Sequence, residues 1–263
     1  MTRDFAMLED KVVLISGAGP GLGRSLALRS AAAGARVVLA ARTASRLETL
    51  ADEVRAAGGE AVCIPTDLAD PAAVAALAEQ AVDAFGRVDT LIQNANVQPP
   101  QIGVLEAPLD DVREGLEINV LSALNLVREL APELERSQGS VVMVNSMVLR
   151  NQLPGFGAYR VMKSGLLALA RSLSIELGPR GVRVNSVAPG YIWAESVKRF
   201  FAWQAKQRGV DPSVVYAEVA AGTDLRRLPE PDDIANAAVF LASDLARAIT
   251  GQCLDVNCGH THH

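Results

Sequence analysis

Ser146, Tyr159 and Lys163 are three residues whose types and spacing can do chemistry together. Tyr159 and Lys163 are spaced i and i+4, which places them on one face of a helix. Ser146 closes an apolar run (Val141-Val142-Met143-Val144, then Asn145-Ser146) that reads as a strand delivering the serine at its C-terminal end. A turn-rich passage with Asn151, Pro154, Gly155 and Gly157 separates the serine from the tyrosine. A hydroxyl, a phenol and an ammonium therefore converge at the edge where open α/β sheets bind ligands. The three histidines, His260, His262 and His263, all lie at the end of the chain, so its body offers no imidazole base. That end reads as a surface tail and not as a metal site.

The rest of the sequence supplies a scaffold for this group. Apolar, β-branched runs at 11–16, 36–41, 60–66, 88–93, 139–146 and 182–187 predict buried strands, with a last short strand at 253–256. Helical patterns fall between them: up to about residue 33, over 44–57, from Pro71, over 110–136, from Tyr159 to about 177, and from Pro231. The segment 191–222 reads as irregular and helical. Such alternation predicts right-handed βαβ units and a mostly parallel sheet with helices on both faces. The expected fold class is therefore α/β, a Rossmann-like doubly wound sheet of about seven strands. No linker or composition shift divides the chain, so one domain over residues 1–263 is expected, with a substrate lid over 191–224.

The first strand runs into Gly17-Ala18-Gly19-Pro20-Gly21-Leu22-Gly23 and then a helix. Glycines let the backbone approach a pyrophosphate, and the helix N-terminus adds free N–H groups and a favourable dipole end. The spacing is G-x-x-x-G-x-G and not G-x-G-x-x-G. The second strand ends at Ala41-Arg42, where an acidic residue would bond the ribose 2′-hydroxyl of NAD. With no carboxylate there, Arg42 can pair with a 2′-phosphate through its forked guanidinium, which favours NADP(H) over NAD(H). Otherwise Arg42 is simply a solvated loop residue.

These motifs together resemble the short-chain dehydrogenase/reductase family, and the likeness runs along nearly the whole chain. Ser16-Gly17, Gly21, Leu22 and Gly23 resemble the family's Thr-Gly-x-x-x-Gly-x-Gly cofactor motif, with serine keeping the hydroxyl. Asp67, followed by Leu68, stands where the family's aspartate contacts the adenine ring. Gln93-Asn94-Ala95-Asn96 corresponds to Asn-Asn-Ala-Gly, with Asn96 in the glycine's place and a bulkier wall beside the nicotinamide. Pro189-Gly190, ahead of Ile192, matches the turn after the sixth strand. Ala194 stands where the family often has a threonine that bonds the carboxamide, and Pro20 replaces a basic residue of many NADP-preferring members. The resemblance implies a catalytic set of Asn119, Ser146, Tyr159 and Lys163, with Tyr159 and Lys163 also touching the cofactor.

A ketone becoming an alcohol needs hydride at carbon and a proton at oxygen. Tyr159 is placed to supply the proton. An unperturbed phenol has a pKa of about 10, and Lys163 one turn away is expected to lower it. Ser146 would bond the carbonyl oxygen. The resemblance further implies that Lys163 holds the nicotinamide ribose and that Asn119 binds a water linking Lys163 to solvent.

Of eleven aromatics, six fall between Tyr191 and Tyr216. They either line the substrate site or pack the lid and a subunit contact. With Asn96, Met147, Val148, Trp193 and Trp203 as candidate substrate residues, and Leu149 beside them, the expected substrate is a bulky hydrophobic ketone or secondary alcohol. A 3-oxoacyl-thioester reductase is the enzymatic alternative. A non-catalytic nucleotide-binding redox sensor, or a lyase or epimerase, is the alternative of another class. The formal charge of −5, without a basic cluster, argues against nucleic acid and anionic membranes as partners. Cys63, Cys253 and Cys258 form no C-x-x-C pair, and no apolar run reaches membrane length. A cytoplasmic protein is expected. By family likeness the helices at 110–136 and 159–177 would pair in a homotetramer or homodimer.

Overall fold

The computed structural model describes residues 6–262. His263 and the first five residues of the N-terminal stretch lie outside the described residues. The predicted strands form one seven-stranded sheet: β1 Val12–Ser16, β2 Arg36–Ala41, β3 Glu60–Pro65, β4 Thr90–Gln93, β5 Ser140–Val144, β6 Arg183–Pro189 and β7 Cys253–Val256. Their order is β3-β2-β1-β4-β5-β6-β7, and every neighbouring pair is parallel. Parallel strands are buried on both faces and read as continuous apolar runs, as 12–16 and 140–144 do.

Successive side chains point to opposite faces. Val13 and Ile15 pack under α1 (Leu22–Ala32), α2 (Ala44–Ala56) and, near the chain's end, α9 (Pro231–Ala242). Val12 and Leu14 face α3 (Pro71–Phe85), α5 (Ser122–Ser137) and α6 (Gly157–Leu177). The remaining helices are α4 (Leu109–Leu116), α7 (Glu195–Arg208) and α8 (Pro212–Ala221). The last two lie in the segment expected as the lid and share a small core around Phe201, Ala205, Val215 and Leu228.

The strand order reverses between β1 and β4, the switch point where open sheets of this kind bind ligands. Two turns meet there. Gly17 has φ +72, and a Cβ on it would come within 2.6 Å of the Ala95 backbone. Asn94 Nδ2 donates to Gly17 O at 2.8 Å across the same gap. Below the turns, Ser16 donates its hydroxyl to Gln93 Oε1, and Gln93 Nε2 reaches Ser122 Oγ at 3.4 Å. This polar chain ties β1, β4 and α5 together under the cleft.

Two expectations need correction. The single helix over 110–136 is interrupted by one π-helical stretch, Glu117–Leu121, between α4 and α5. Strand six does not stop at residue 187: Pro189 pairs with Val256 of β7, and Gly190 N then donates to Val256 O at 3.2 Å.

Candidate active site

Ser146 follows β5 and caps a 3-10 turn, Met147–Leu149, accepting from Val148 N at 3.2 Å. α6 brings Tyr159 and Lys163 to the same place. Arg160, between them, donates to the carbonyls of Val148 at 3.1 Å and Asn151 at 2.8 Å. It thereby fastens the loop after Ser146 to the helix that carries Tyr159. The Ser146 hydroxyl lies near enough to the Tyr159 phenol to favour its charged form. Lys163 is 1% exposed, its Nζ donating to Val144 O at 3.0 Å and lying 5.6 Å from the Tyr159 ring centroid. Among the described residues no carboxylate pairs with it. A buried ammonium held by one carbonyl is costly for a fold.

The electrostatics differ from the expected depression of the Tyr159 pKa. Burial pushes Tyr159 up to about 12, opposed only by the nearby Ser146 hydroxyl. Burial also pushes Lys163 down to about 7. Loss of water disfavours both charged forms, the phenolate and the ammonium. At neutral pH Tyr159 is thus a protonated phenol, suited to donating.

The π-helical stretch carries Asn119, which is fully buried. Its Nδ2 donates to Val97 O at 2.8 Å and Gly115 O at 2.9 Å, while Oδ1 has no partner among the described residues. A single widened turn in an α-helix frequently marks a functional site.

Two clefts run along the C-terminal edge of the sheet on either side of the Gly17–Ala95 contact. One is walled by Gly17, Ala41, Arg42, Asp67, Leu68 and Ala95. The other lies between the glycine loop (Gly21, Leu22, Gly23), Asn94 and the Ile192–Ala194 strip. Gly21, φ +84, is the N-cap of α1, and the nearest atom to a Cβ there is the Ala194 Cβ at 3.8 Å. The loop is thus a backbone cradle with open space over a helix N-terminus, and it fits a dinucleotide's pyrophosphate. Ser16 lies beneath the cradle and is fully buried. Pro189 ends β6 and Gly190 begins the turn leading to Ile192. Asp67 Oδ1 accepts from Ala69 N at 3.1 Å. Arg42 is exposed and has no partner among the described residues.

A third cavity, of about 580 Å³, adjoins the second cleft through Asn96, Ile192 and Ser196. Ser146 and Tyr159 line it, with Met147 and Val148 beside them. Trp193 and Trp203 do not line it. Trp193 packs within the lid against Tyr216 (centroids 4.6 Å apart) and Phe201. Trp203 is 57% exposed and stacks on Phe200. Trp193 belongs to the small core around Phe201, whereas Trp203 lies outside it. Leu149 is not part of the wall either.

Residues 17–261 match the family model described as enoyl-(acyl carrier protein) reductase. The 7alpha-hydroxysteroid dehydrogenase of Escherichia coli (strain K12) is 34% identical over 257 residues, covering 97% of this chain and 96% of that one. The crystal structure of a NAD+-bound xylitol dehydrogenase superposes with a TM-score of 0.89 at 30% identity, covering 96% and 99% of the two chains. A 7 alpha-hydroxysteroid dehydrogenase complexed with NADH and 7-oxo glycochenodeoxycholic acid gives 0.88 at 32% identity, covering 100% and 99%. The chain belongs to the short-chain dehydrogenase/reductase family. It is a pyridine-nucleotide-dependent oxidoreductase that interconverts ketones and alcohols.

This short-chain dehydrogenase/reductase also places residues at its site that sequence reasoning missed. Gln98 and Gln101 come from the loop after β4, Asn151 and Phe156 from the loop before α6, and Ser196 and Val197 from the start of α7. They sit in loops or on a helix's first turn, where no periodicity signals orientation. The C-terminal tail is a second correction. Leu225 N donates to Cys258 O at 3.1 Å, and the His260 ring packs 6.1 Å from that of Tyr191, a residue of the cavity wall. His262 meets Asp224 at 2.8 Å. The tail is folded onto the lid.

Proposed function

We propose that this short-chain dehydrogenase/reductase reduces a bulky ketone with NADPH, and runs the reverse oxidation, using Tyr159 as proton donor. The observation that supports it most is the convergence of Ser146 and Tyr159 on one cavity that adjoins the glycine-loop cleft. When bound, the nicotinamide supplies or accepts the hydride. Gly17, Gly21, Leu22, Gly23, Asn94, Ala95, Gly190 and Ile192 would hold the dinucleotide's central part, with Ser16 and Pro189 supporting that bed. Ala41, Arg42, Asp67 and Leu68 would hold its adenosine end.

Ser146 bonds the substrate oxygen and keeps it beside the phenol of Tyr159. As negative charge develops on that oxygen, Tyr159 releases its proton to it, which a phenol beside a preorganised hydroxyl can do without reorganising solvent. Lys163 is one turn below, with its ammonium buried, and restores charge balance as the phenolate forms. Asn119 Oδ1, a buried acceptor, would hold the water that passes a proton towards Lys163. Asn96, Met147 and Val148 bound the substrate.

NADP(H) is favoured because Arg42 is free at the end of β2 and Ala41 presents no carboxylate. Arg42→Ala should lower kcat/KM for NADPH about 10- to 100-fold, the worth of a charge-assisted hydrogen bond. It should change NADH kinetics little. An equal loss with both nucleotides would show that Arg42 does not read the 2′-phosphate. The relatives named above that carry a nucleotide carry NAD+ or NADH, so this comparison is informative.

A cytoplasmic homotetramer completes the reading. Leu121, Val161 and Ile175 are exposed apolar residues on and around α5 and α6, the flank expected to pair. Sedimentation at micromolar concentration should give a tetramer, and a stable monomer would overturn this. Among the described residues no helix is long and apolar enough to cross a membrane.

A further inference from the structure

We propose that the substrate is uncharged and carries hydroxyl groups beyond the reacting carbon, read by a wall of carboxamides. This rests on the ketone–alcohol reading of the cavity and concerns what else the substrate must contain.

Not one side chain lining the cavity bears a formal charge, although 21% of the chain's residues do. An anionic group brought inside would lose its water and meet no cation. Four carboxamides instead surround the space: Asn96, Gln98, Gln101 and Asn151. None of their side chains hydrogen-bonds to the protein among the described residues. Asn94, Asn119, Asn145, Asn185 and Asn257, by contrast, are each engaged by a backbone or side-chain partner. The cavity amides are therefore not staples of the fold.

Asn151 is the most telling of the four. It is half-buried, and its Oδ1 is shielded from solvent without a donor. Its backbone carbonyl is held by Arg160 at 2.8 Å, so its position relative to Tyr159 is built and not adventitious. Gln98 and Gln101 stand exposed on the opposite loop, and Asn96 stands where the cavity meets the cofactor cleft. The other walls are apolar: Met147, Leu153, Phe156, Val197 and Phe200. A body with one apolar face and one hydroxylated edge matches both walls. A wholly apolar ketone would strip water from four amides and return nothing. A site built to bond a hydroxyl rejects the analogue that lacks it.

The test uses three ring ketones on one bicyclic skeleton: plain, with two added hydroxyls, and with an added carboxylate. Each is assayed with NADPH and NADH. The dihydroxy ketone should exceed the plain one at least about tenfold in kcat/KM, with the carboxylate poorest. Asn151→Leu and Gln98→Leu, on separate segments, should each narrow the dihydroxy-to-plain ratio about tenfold. That ratio cancels general damage to the enzyme. Plain or carboxylated ketone turned over as well as the dihydroxy compound overturns this inference and leaves the ketone–alcohol reading intact. A silent protein with all three ketones and both nucleotides overturns that reading, and this inference with it.

Discussion

Tyr159→Phe lowers kcat by about 10²- to 10⁴-fold, the contribution expected of a positioned acid, while the nucleotide binds as before. The substitution removes one oxygen. Ser146 keeps the bond from Val148 N and still lines the cavity, so the fold keeps its stability. The developing oxyanion then has no proton donor at hand: Lys163 is held at Val144 O, beneath the ring and away from the cavity. Stopped-flow transfer of hydride to a ketone, set beside titration of the nucleotide by fluorescence, separates the two effects. Turnover within tenfold of the parent would remove Tyr159 from the acid's role. The wild-type rate of reduction should fall as pH rises through about 7, where Lys163 loses the charge that balances the forming phenolate, although burial keeps the phenol itself protonated up to about 12.

Lys163→Met acts on turnover and on stability. Turnover should fall by about 10²-fold or more, since charge balance beneath the forming phenolate is lost. Stability should change with pH in a definite direction. Lys163 titrates at about 7 in the folded protein against 10.5 ordinarily. Between those values the unfolded chain binds the proton that the folded one releases, so stability rises with pH across that window. Below about 7 the full cost of a buried ammonium is present. Tyr159 works oppositely at the alkaline end: raised from 10 to about 12, it favours the fold below 10 and loses that contribution as pH climbs through the folded value. Urea midpoints of the nucleotide-free protein at pH 6.5, 8 and 9.5 should climb for the parent. For Lys163→Met they should be higher at pH 6.5 and nearly flat. Parallel curves would show that Lys163 is not a buried ammonium of lowered pKa.

Much of this was legible beforehand because it rests on short-range regularities. Glycines after a buried strand and before a helix make a cradle whatever follows, and an i,i+4 pair shares a helix face. The interruption at Glu117–Leu121 was not legible. One extra residue in a turn leaves the apolar period over 110–136 almost unchanged, and only the fate of the Asn119 amide reveals it. Trp193 and Trp203 misled because aromatic content says that a surface is large and apolar, not which way it faces. Packing around Phe201 turned Trp193 away from the cavity, and Trp203 stacks on Phe200 at the surface. The pKa of Tyr159 was misread for a related cause: spacing along the helix shows that Lys163 is near, and not that both groups are out of water. The carboxamide wall comes from two separate loops and has no signature in either of them.

All six strand pairings are parallel, and this bears on how the chain reaches its fold. No neighbouring strands are joined by a tight hairpin, so no pair forms from local chain alone. β1 and β4, whose turns make the floor of the cleft, bring Ser16 beside Gln93, and the whole α1–α3 stretch must be looped out to do it. Closing so long a loop is entropically unfavourable until the sheet on both sides rewards it. The chain should accordingly be a slow folder. A fragment holding either half, β1 to β3 or β4 to β7, has one wall of the cleft and no site. Activity regained on refolding therefore reports the joining of the halves, a later event than the appearance of helix.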